Sequence, residues 1–144
     1  MKKIEIDTFL KFRFLSNPQF SPDGTKIAFT VSVPDRETNG YLSDLYLYDL
    51  GNKTVSRVTC AGDAKIWSWT AENTLIFTAA RTAALKKEKE NGTSFFYEIS
   101  PSGGEASCRA SVPASVTGIR LLPDGRYLLT IRHDNYKDTR KKSY

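Results

Sequence analysis

Histidine, cysteine and methionine are scarce in this sequence, with one His, two Cys and one Met among 144 residues. Cys60 and Cys108 lack the spacing of metal ligands and have no histidine nearby, so we interpret them as two free thiols at matching positions of a repeat. The single histidine, His133, follows the last predicted strand, whereas a catalytic base must be held beside its nucleophile. The sequence also has no G-x-S-x-G motif. We therefore expect no catalytic, cofactor-binding or metal-binding residue in this chain, and no cofactor.

Long apolar runs are absent as well. No stretch of about 18 consecutive apolar residues exists, so we predict no transmembrane helix and no membrane partner. The start of the chain is basic, but the apolar core of a signal peptide is interrupted by charged residues, namely Glu5, Asp7, Lys11 and Arg13. The prediction that follows is a cytoplasmic protein.

The net charge of +5 is confined to two segments. Residues 132–144 hold five Lys or Arg and two Asp, and residues 80–93 hold four Lys or Arg and two Glu. Both segments mix the two signs of charge and look like loops, whereas a nucleic-acid footprint needs basic residues gathered on one face. We interpret them as solvated loops and expect no nucleic-acid partner.

Apolar residues are plentiful, at 40% of the chain, and they recur in short segments that are typical of strands. The segments fall into three successive rounds, and each complete round contains four strand candidates. Besides the innermost candidate of the first round, which ends at Phe20, they are residues 26–33, 44–50 and 54–59, then 64–70, 74–80, 94–100 and 106–111, then 116–122 and 126–132.

Three stretches occupy the same place in each round: FSPDGTKIAF (20–29), WTAENTLIF (69–77) and LLPDGRYLLT (121–130). Four antiparallel strands in a repeat of about 40–50 residues are the pattern of a propeller blade. The predicted fold is therefore all-β, a partial β-propeller of about two and a half four-stranded antiparallel blades with a short N-terminal helical lead-in. We expect the lead-in at residues 1–16, blade 1 at 17–60, blade 2 at 61–112 and the first half of blade 3 at 113–144.

The repeated Pro-Asp-Gly has the chemistry of a tight hairpin turn. Pro22 fixes its own φ, Asp23 bonds back to the local backbone, and Gly24 accepts a positive φ. In blade 2, Asn73 is expected to take the left-handed position. A role of Asp23 or Asp124 as a metal ligand or catalytic carboxylate is the alternative, and we favour the structural turn.

The connections after each second strand should emerge on one face of the propeller, because turns alternate between the two ends of a meander. They are residues 34–43, the lysine-rich loop 81–93 and the tail from His133. Loops on one face of a rigid scaffold commonly carry recognition, so we expect this loop face to bind a ligand of open identity.

Aromatic residues raise a separate choice between packing and binding. We expect Trp67 and Trp69 to point to opposite sides of one strand, with one ring packed against a neighbouring blade. A stacking platform for carbohydrate or peptide is the alternative. In the apolar lead-in, residues 6–15, we expect Asp7 or Thr8 to cap a short helix that packs on the propeller, with disorder of this segment as the alternative.

The ordered set of motifs resembles the N-terminal propeller of the prolyl oligopeptidase superfamily, most closely its acylaminoacyl-peptidase branch. The resemblance is carried by FLSNPQFSPDGTKIAFTVSVPDRETNGYLSDLYLYDL (14–50), by GGEA (103–106) and by LLPDGRYLL (121–129). SPDG and GGEA alone also occur in other propellers, including those of the TolB type.

This resemblance implies a two-part serine peptidase, in which a propeller covers a C-terminal α/β-hydrolase domain and restricts access to peptides. The expected partners are that domain and, for the parent enzyme, peptide substrates. The chain itself is expected to be a non-catalytic fragment that associates with other copies through open blade edges. The alternative function is a non-enzymatic TolB-like propeller module that binds proteins.

Overall fold

The computed structural model describes residues 5–133, and its strands form three antiparallel sheets in that range. The first sheet contains β1 (Phe14–Phe20), β2 (Lys26–Asp35), β3 (Gly40–Asp49) and β4 (Thr54–Arg57). The second contains β5 (Trp67–Trp69), β6 (Leu75–Thr78), β7 (Ser94–Ile99) and β8 (Ser107–Val112), and the third contains β9 (Ser115–Leu121) and β10 (Tyr127–Arg132). Strands that follow one another in the chain are neighbours in each sheet, as in propeller blades. The predicted partial β-propeller is confirmed.

The same turn joins the first two strands of every sheet. The backbone N–H groups of Gly24, Asn73 and Gly125 donate to the carbonyl oxygens three residues earlier, at 2.8, 3.3 and 3.0 Å. Their φ angles are 70°, 59° and 83°, in the left-handed region that glycine enters freely and asparagine tolerates. The predicted positive φ of Gly24 and of Asn73 is confirmed.

The hydrophobic core lies between the first and second sheets. It joins small and aliphatic side chains of the first sheet to large aromatic ones of the second, and its members include Ala28, Leu45, Leu47, Trp67, Trp69, Leu75 and Phe77. Because the sheets meet face to face, each blade buries the apolar side of its neighbour.

Trp67 and Trp69 lie on the same side of β5, so the prediction that they point to opposite sides is wrong. Side chains at positions i and i+2 of a strand share a face. The Nε1 of Trp67 donates to the hydroxyl of Thr30 at 2.8 Å, and the Nε1 of Trp69 donates to the carbonyl oxygen of Gln19 at 3.2 Å. Both rings therefore pack against the first sheet, and with 1% and 3% of their surface exposed they offer no stacking platform.

Two connections on the loop face are more regular than predicted. Most of residues 34–43 belongs to strands. Asp35 at the end of β2 pairs with Gly40 at the start of β3, so the turn between the two strands contains only residues 36–39. Residues 81–93 hold a helix, α1 (Ala83–Glu90), where the sequence was expected to form a loop. The hydroxyl oxygen of Thr82 accepts a hydrogen bond from the N–H of Leu85 and so caps the start of α1.

The N-terminal lead-in is a short 3-10 helix, Ile6–Lys11, which follows Glu5 and has no side-chain cap. It ends before the predicted limit, because Phe14 already pairs with Ser32 in the first sheet. Asp7 does not cap the helix but forms an ion pair with Arg36 in the β2–β3 turn. Among residues 5–133, no helix is long and apolar enough to cross a membrane.

The two cysteines are free and exposed, but they do not occupy matching positions. Cys108 lies within β8, opposite Tyr97, whereas Cys60 lies beyond the last residue of β4. The basic tail at 134–144, predicted to continue the loop face, lies outside the described residues.

Candidate functional site

The innermost strands β1, β5 and β9 together line a groove of about 430 Å³, which we call the channel groove. In a propeller, the innermost strands surround a central channel. The surface of the groove is mainly polar, and the residues that line it are Asn17, Pro18, Gln19, Lys65, Ile66, Trp67, Thr117, Gly118, Ile119 and Arg120. The channel side of these blades is therefore polar, in contrast to the apolar core between the sheets.

A bulge in β1 shapes one wall of the channel groove. The pairing of β1 with β2 shifts between Ser16 and Gln19, and Asn17 has a φ of 53°. Pro18 has no N–H to donate, so the strand can leave its regular ladder at this point. The side-chain amide of Gln19 donates to the Oδ1 of Asn17 at 3.2 Å. Two amide side chains are thus held together on the groove wall.

The opposite wall of the channel groove comes from β9. A Cβ atom at Gly118 would lie 3.3 Å from the hydroxyl of Thr130, so a glycine here lets β9 and β10 pack closely. Arg120 follows two residues later on the same strand and is exposed. It contributes a positive charge to the groove, as does Lys65 before β5.

A second concave region, the α1 cleft, opens on the loop face where β6 leads into α1. It has a volume of about 750 Å³ and is lined by Ala61, Asp63, Ala80, Arg81, Lys86, Lys89 and Glu90. The guanidinium of Arg81 lies 5.6 Å from the ring centre of Phe77 and 5.2 Å from that of Tyr97. One carboxylate oxygen of Asp63, Oδ1, is buried and has no hydrogen-bond partner among the described residues.

Asp23 and Asp124 lie in separate turns, and each carboxylate accepts hydrogen bonds from residues of its own turn. The Oδ1 of Asp23 accepts hydrogen bonds from the Ser21 hydroxyl at 2.6 Å, from the Thr25 hydroxyl at 2.8 Å and from the Thr25 N–H at 3.0 Å. The Ser21 hydroxyl, followed by the two Thr25 donors, lowers the pKa of Asp23 to about 2. Arg126 lowers the pKa of Asp124 through its side chain and its N–H. These contacts support the structural interpretation of both aspartates.

Within residues 5–133, we find no cluster of side chains that would form a metal site, and Asp23 and Asp124 lie apart in separate turns. Within that range, no group of three or more His, Cys, Asp or Glu is placed to hold a metal ion. His133 is exposed directly after β10. Arg81, Lys86, Lys89 and Glu90 belong to the segment 81–93, which the sequence places on the loop face. That Ala61 and Asp63 join them in the α1 cleft was not predicted, because it depends on how the two blades pack.

The comparisons with known proteins agree with this architecture. No family model matches the chain. The uncharacterized peptidase YuxL of Bacillus subtilis is 29% identical over 133 residues, which cover 90% of this chain and 19% of YuxL. The chain thus spans about a fifth of the length of that curated relative.

Solved structures share the fold. The β-propeller domain of the Trilobed protease from Pyrococcus furiosus matches 84% of this chain and 34% of its own, with a TM-score of 0.59 and 16% identity. An acylaminoacyl peptidase in complex with a chloromethyl ketone matches 90% of this chain and 19% of its own, with a TM-score of 0.64 and 18% identity. The acylaminoacyl peptidase of Pyrococcus horikoshii matches 85% and 18%, with a TM-score of 0.63 and 18% identity.

Proposed function

We propose a function on the premise that this chain is the propeller portion of a prolyl oligopeptidase-family peptidase, which its curated relative and structural neighbours support. In this proposal the whole protein is a serine peptidase of the acylaminoacyl or prolyl oligopeptidase type. The chain forms part of the channel through which peptides reach a separate α/β-hydrolase domain. It gates their access and is itself non-catalytic.

The channel groove is the observation that carries the proposal. Three innermost strands line it, so its width depends on the packing of blades rather than on a mobile loop. Its walls carry amides and two cations, groups that a hydrated peptide can pass without becoming trapped on an apolar surface. The absence of a G-x-S-x-G motif from the sequence supports placing the nucleophile outside this chain.

The proposal includes three further points. The blade limits expected from the sequence, 17–60, 61–112 and 113–144 after a lead-in at 1–16, are kept in this proposal, except that blade 1 begins with β1 at Phe14. The whole protein is cytoplasmic. The chain alone associates with other copies through its open blade edges, because β10 pairs only with β9 within the described residues.

A channel-narrowing variant of the whole protein tests the gating role. Arg120→Trp places a bulky ring in the channel groove, whereas Arg109→Trp makes the same exchange on β8, away from the groove. The ion pair of Arg109 with Glu98 is exposed at the arginine, so its loss should change stability little. We expect Arg120→Trp to lower kcat/KM several-fold for a long peptide and much less for a small amino-acid ester.

Arg109→Trp should leave both substrates unaffected. An equal loss for the long peptide and the ester in Arg120→Trp, or no loss for either, would contradict gating. If the whole protein hydrolyses no peptide at all, the TolB-like binding module becomes the better account.

A further inference from the structure

The α1 cleft concentrates charges that remain unpaired. Its lining has three basic side chains, Arg81, Lys86 and Lys89, and two acidic ones, Asp63 and Glu90. None of these five side chains forms an ion pair with another residue of the described range. Elsewhere in that range, aspartates and arginines that lie close together do pair, as Arg57 does with Asp44 at 2.6 Å. The charges of the cleft are therefore available to a ligand.

Arg81 lies over two aromatic residues of the core. Its guanidinium carbon is 5.6 Å from the ring centre of Phe77 and 5.2 Å from that of Tyr97, and both aromatic residues are buried. These cation–π contacts do not use the N–H donors of the guanidinium. A guanidinium can bind a carboxylate with two parallel hydrogen bonds.

The helix α1 contributes two more cations to the lining of the same cleft. Lys86 and Lys89 are three residues apart on α1 and so lie on the same side of the helix. The helix is itself anchored, because Leu85 packs against the hydrophobic core and Thr82 caps the first turn. The two ammonium groups therefore stay near the cleft.

Asp63 decides between the kinds of anion. An inorganic anion without O–H groups, such as sulfate, would meet the negative charges of Asp63 and Glu90 in the lining and would bring no hydrogen-bond donor to them. A peptide brings N–H donors along with its carboxylate. We infer that the α1 cleft binds a carboxylate-bearing peptide segment, with the carboxylate on Arg81, Lys86 and Lys89 and the peptide N–H groups toward Asp63.

Only the role of such a peptide as a substrate rests on the proposed function. Binding in the α1 cleft itself needs no catalytic domain. Binding is measured as an affinity, whereas the proposed gating role is measured as turnover. A negative result for one proposal therefore leaves the other untouched.

Fluorescence anisotropy of the full chain with labelled peptides at physiological salt tests the inference. The probes are an oligoalanine with a free C-terminus, its amidated form, an amidated oligoglutamate and an amidated oligoglutamine. We expect at least one carboxylate probe to bind about tenfold more tightly than its neutral match, as one to two charge-assisted hydrogen bonds provide. Preference for the oligoalanine acid identifies a C-terminus as the ligand, and preference for the oligoglutamate identifies acidic side chains.

Variants locate the site. Arg81→Gln and the double variant Lys86→Gln/Lys89→Gln should each weaken the preferred probe about tenfold, whereas Lys53→Gln, in the exposed β3–β4 turn, should not. The double variant leaves the rings under Arg81 covered, so it remains informative if Arg81→Gln lowers stability.

Three results would overturn the inference. They are equal binding of charged and neutral probes, equal weakening by Lys53→Gln, and displacement of the peptide by inorganic sulfate at the same concentration.

Discussion

At the scale of single residues, Asp23 shows how a carboxylate in a repeated motif can have a structural role, because the hydrogen bonds of the carboxylate are all made within the turn. One oxygen of Asp23 takes three hydrogen bonds from Ser21 and Thr25, and its backbone N–H donates to the Oδ1 of Asn73 at 3.1 Å in the next blade. The charged form of Asp23 is thereby stabilised and committed to the turn. The Pro-Asp-Gly motif predicts the local bonds, but the bond to Asn73 depends on how two blades pack.

The lowered pKa of Asp23 predicts a pH-dependent contribution to stability. Its pKa falls from the usual 3.8 to about 2 in the folded chain, so its contribution is complete above the unfolded value and is lost as the pH falls from about 4 to about 2. In Asp23→Asn this contribution is missing at every pH. We expect the difference in Tm between the wild type and Asp23→Asn to be largest above pH of about 5 and to shrink toward pH of about 2.

Glu37→Gln is the control, since it removes an exposed carboxylate without touching the Ser21 and Thr25 bonds. A Tm difference for Asp23→Asn that stays constant through the acidic range would show that the charge of Asp23 does not stabilise the turn.

At the scale of elements, the hairpin turns are predictable and the helix was missed for an identifiable reason. Gly24 and Gly125 mark their turns directly, and Asn73 keeps the left-handed position where blade 2 has no glycine. The α1 segment is polar and has no fully buried residue, and only Leu85 packs partly against the core, so it lacks the apolar periodicity that predicts a packed helix. Its local signals were nevertheless present: Thr82 as N-cap, a run of Ala, Leu, Lys and Glu, and Gly92 beyond the end.

Substitutions at Asn73 separate backbone strain from the bond between blades. Asn73→Gly keeps the positive φ and loses only the acceptor for Asp23, which should lower the free energy of unfolding by about 0.5–1.5 kcal/mol. Asn73→Ala loses the acceptor and also strains the backbone, for a further loss of about 1–2 kcal/mol. Urea unfolding measures both.

Asn52→Ala is the matched control, because Asn52 lies in an exposed turn without a positive φ. It should change the free energy of unfolding little. If Asn73→Ala proves as stable as Asn73→Gly, the turn does not require the left-handed backbone.

At the scale of the whole molecule, the sequence predicts the arrangement of the blades but not most details of the channel groove and the α1 cleft. Repeat spacing alone places β1, β5 and β9 at the centre of a propeller, and so predicts a channel. The bulge at Asn17 and the cation–π contacts of Arg81 with two rings are set by tertiary contacts that no local pattern encodes. The error at Trp67 and Trp69 was of another kind, since the two-residue period of a strand already places both on one face.

The edge of the third sheet predicts self-association of the chain. Leu128 and Ile131 are 57% and 50% exposed on β10, which pairs only with β9 within residues 5–133. A charge on such a strand opposes edge-to-edge pairing. We expect sedimentation velocity to show association of the wild type that increases with concentration, and Leu128→Lys to reduce it.

Ser102→Lys adds the same charge in the β7–β8 turn and should leave that association unchanged. A wild type that sediments as a clean monomer at high concentration would count against open-edge pairing. Equal effects of the two lysines would point to net charge instead of the edge.

The central claim is that this chain is the non-catalytic propeller portion of a serine peptidase. Labelling with a fluorophosphonate that reacts with activated serines, followed by mass spectrometry of the whole protein and of the chain alone, tests it most directly. The account predicts a labelled serine outside residues 1–144, peptide hydrolysis by the whole protein, and neither label nor turnover in the chain alone. A labelled serine within this sequence, or turnover of a peptide ester by the chain alone, would contradict it.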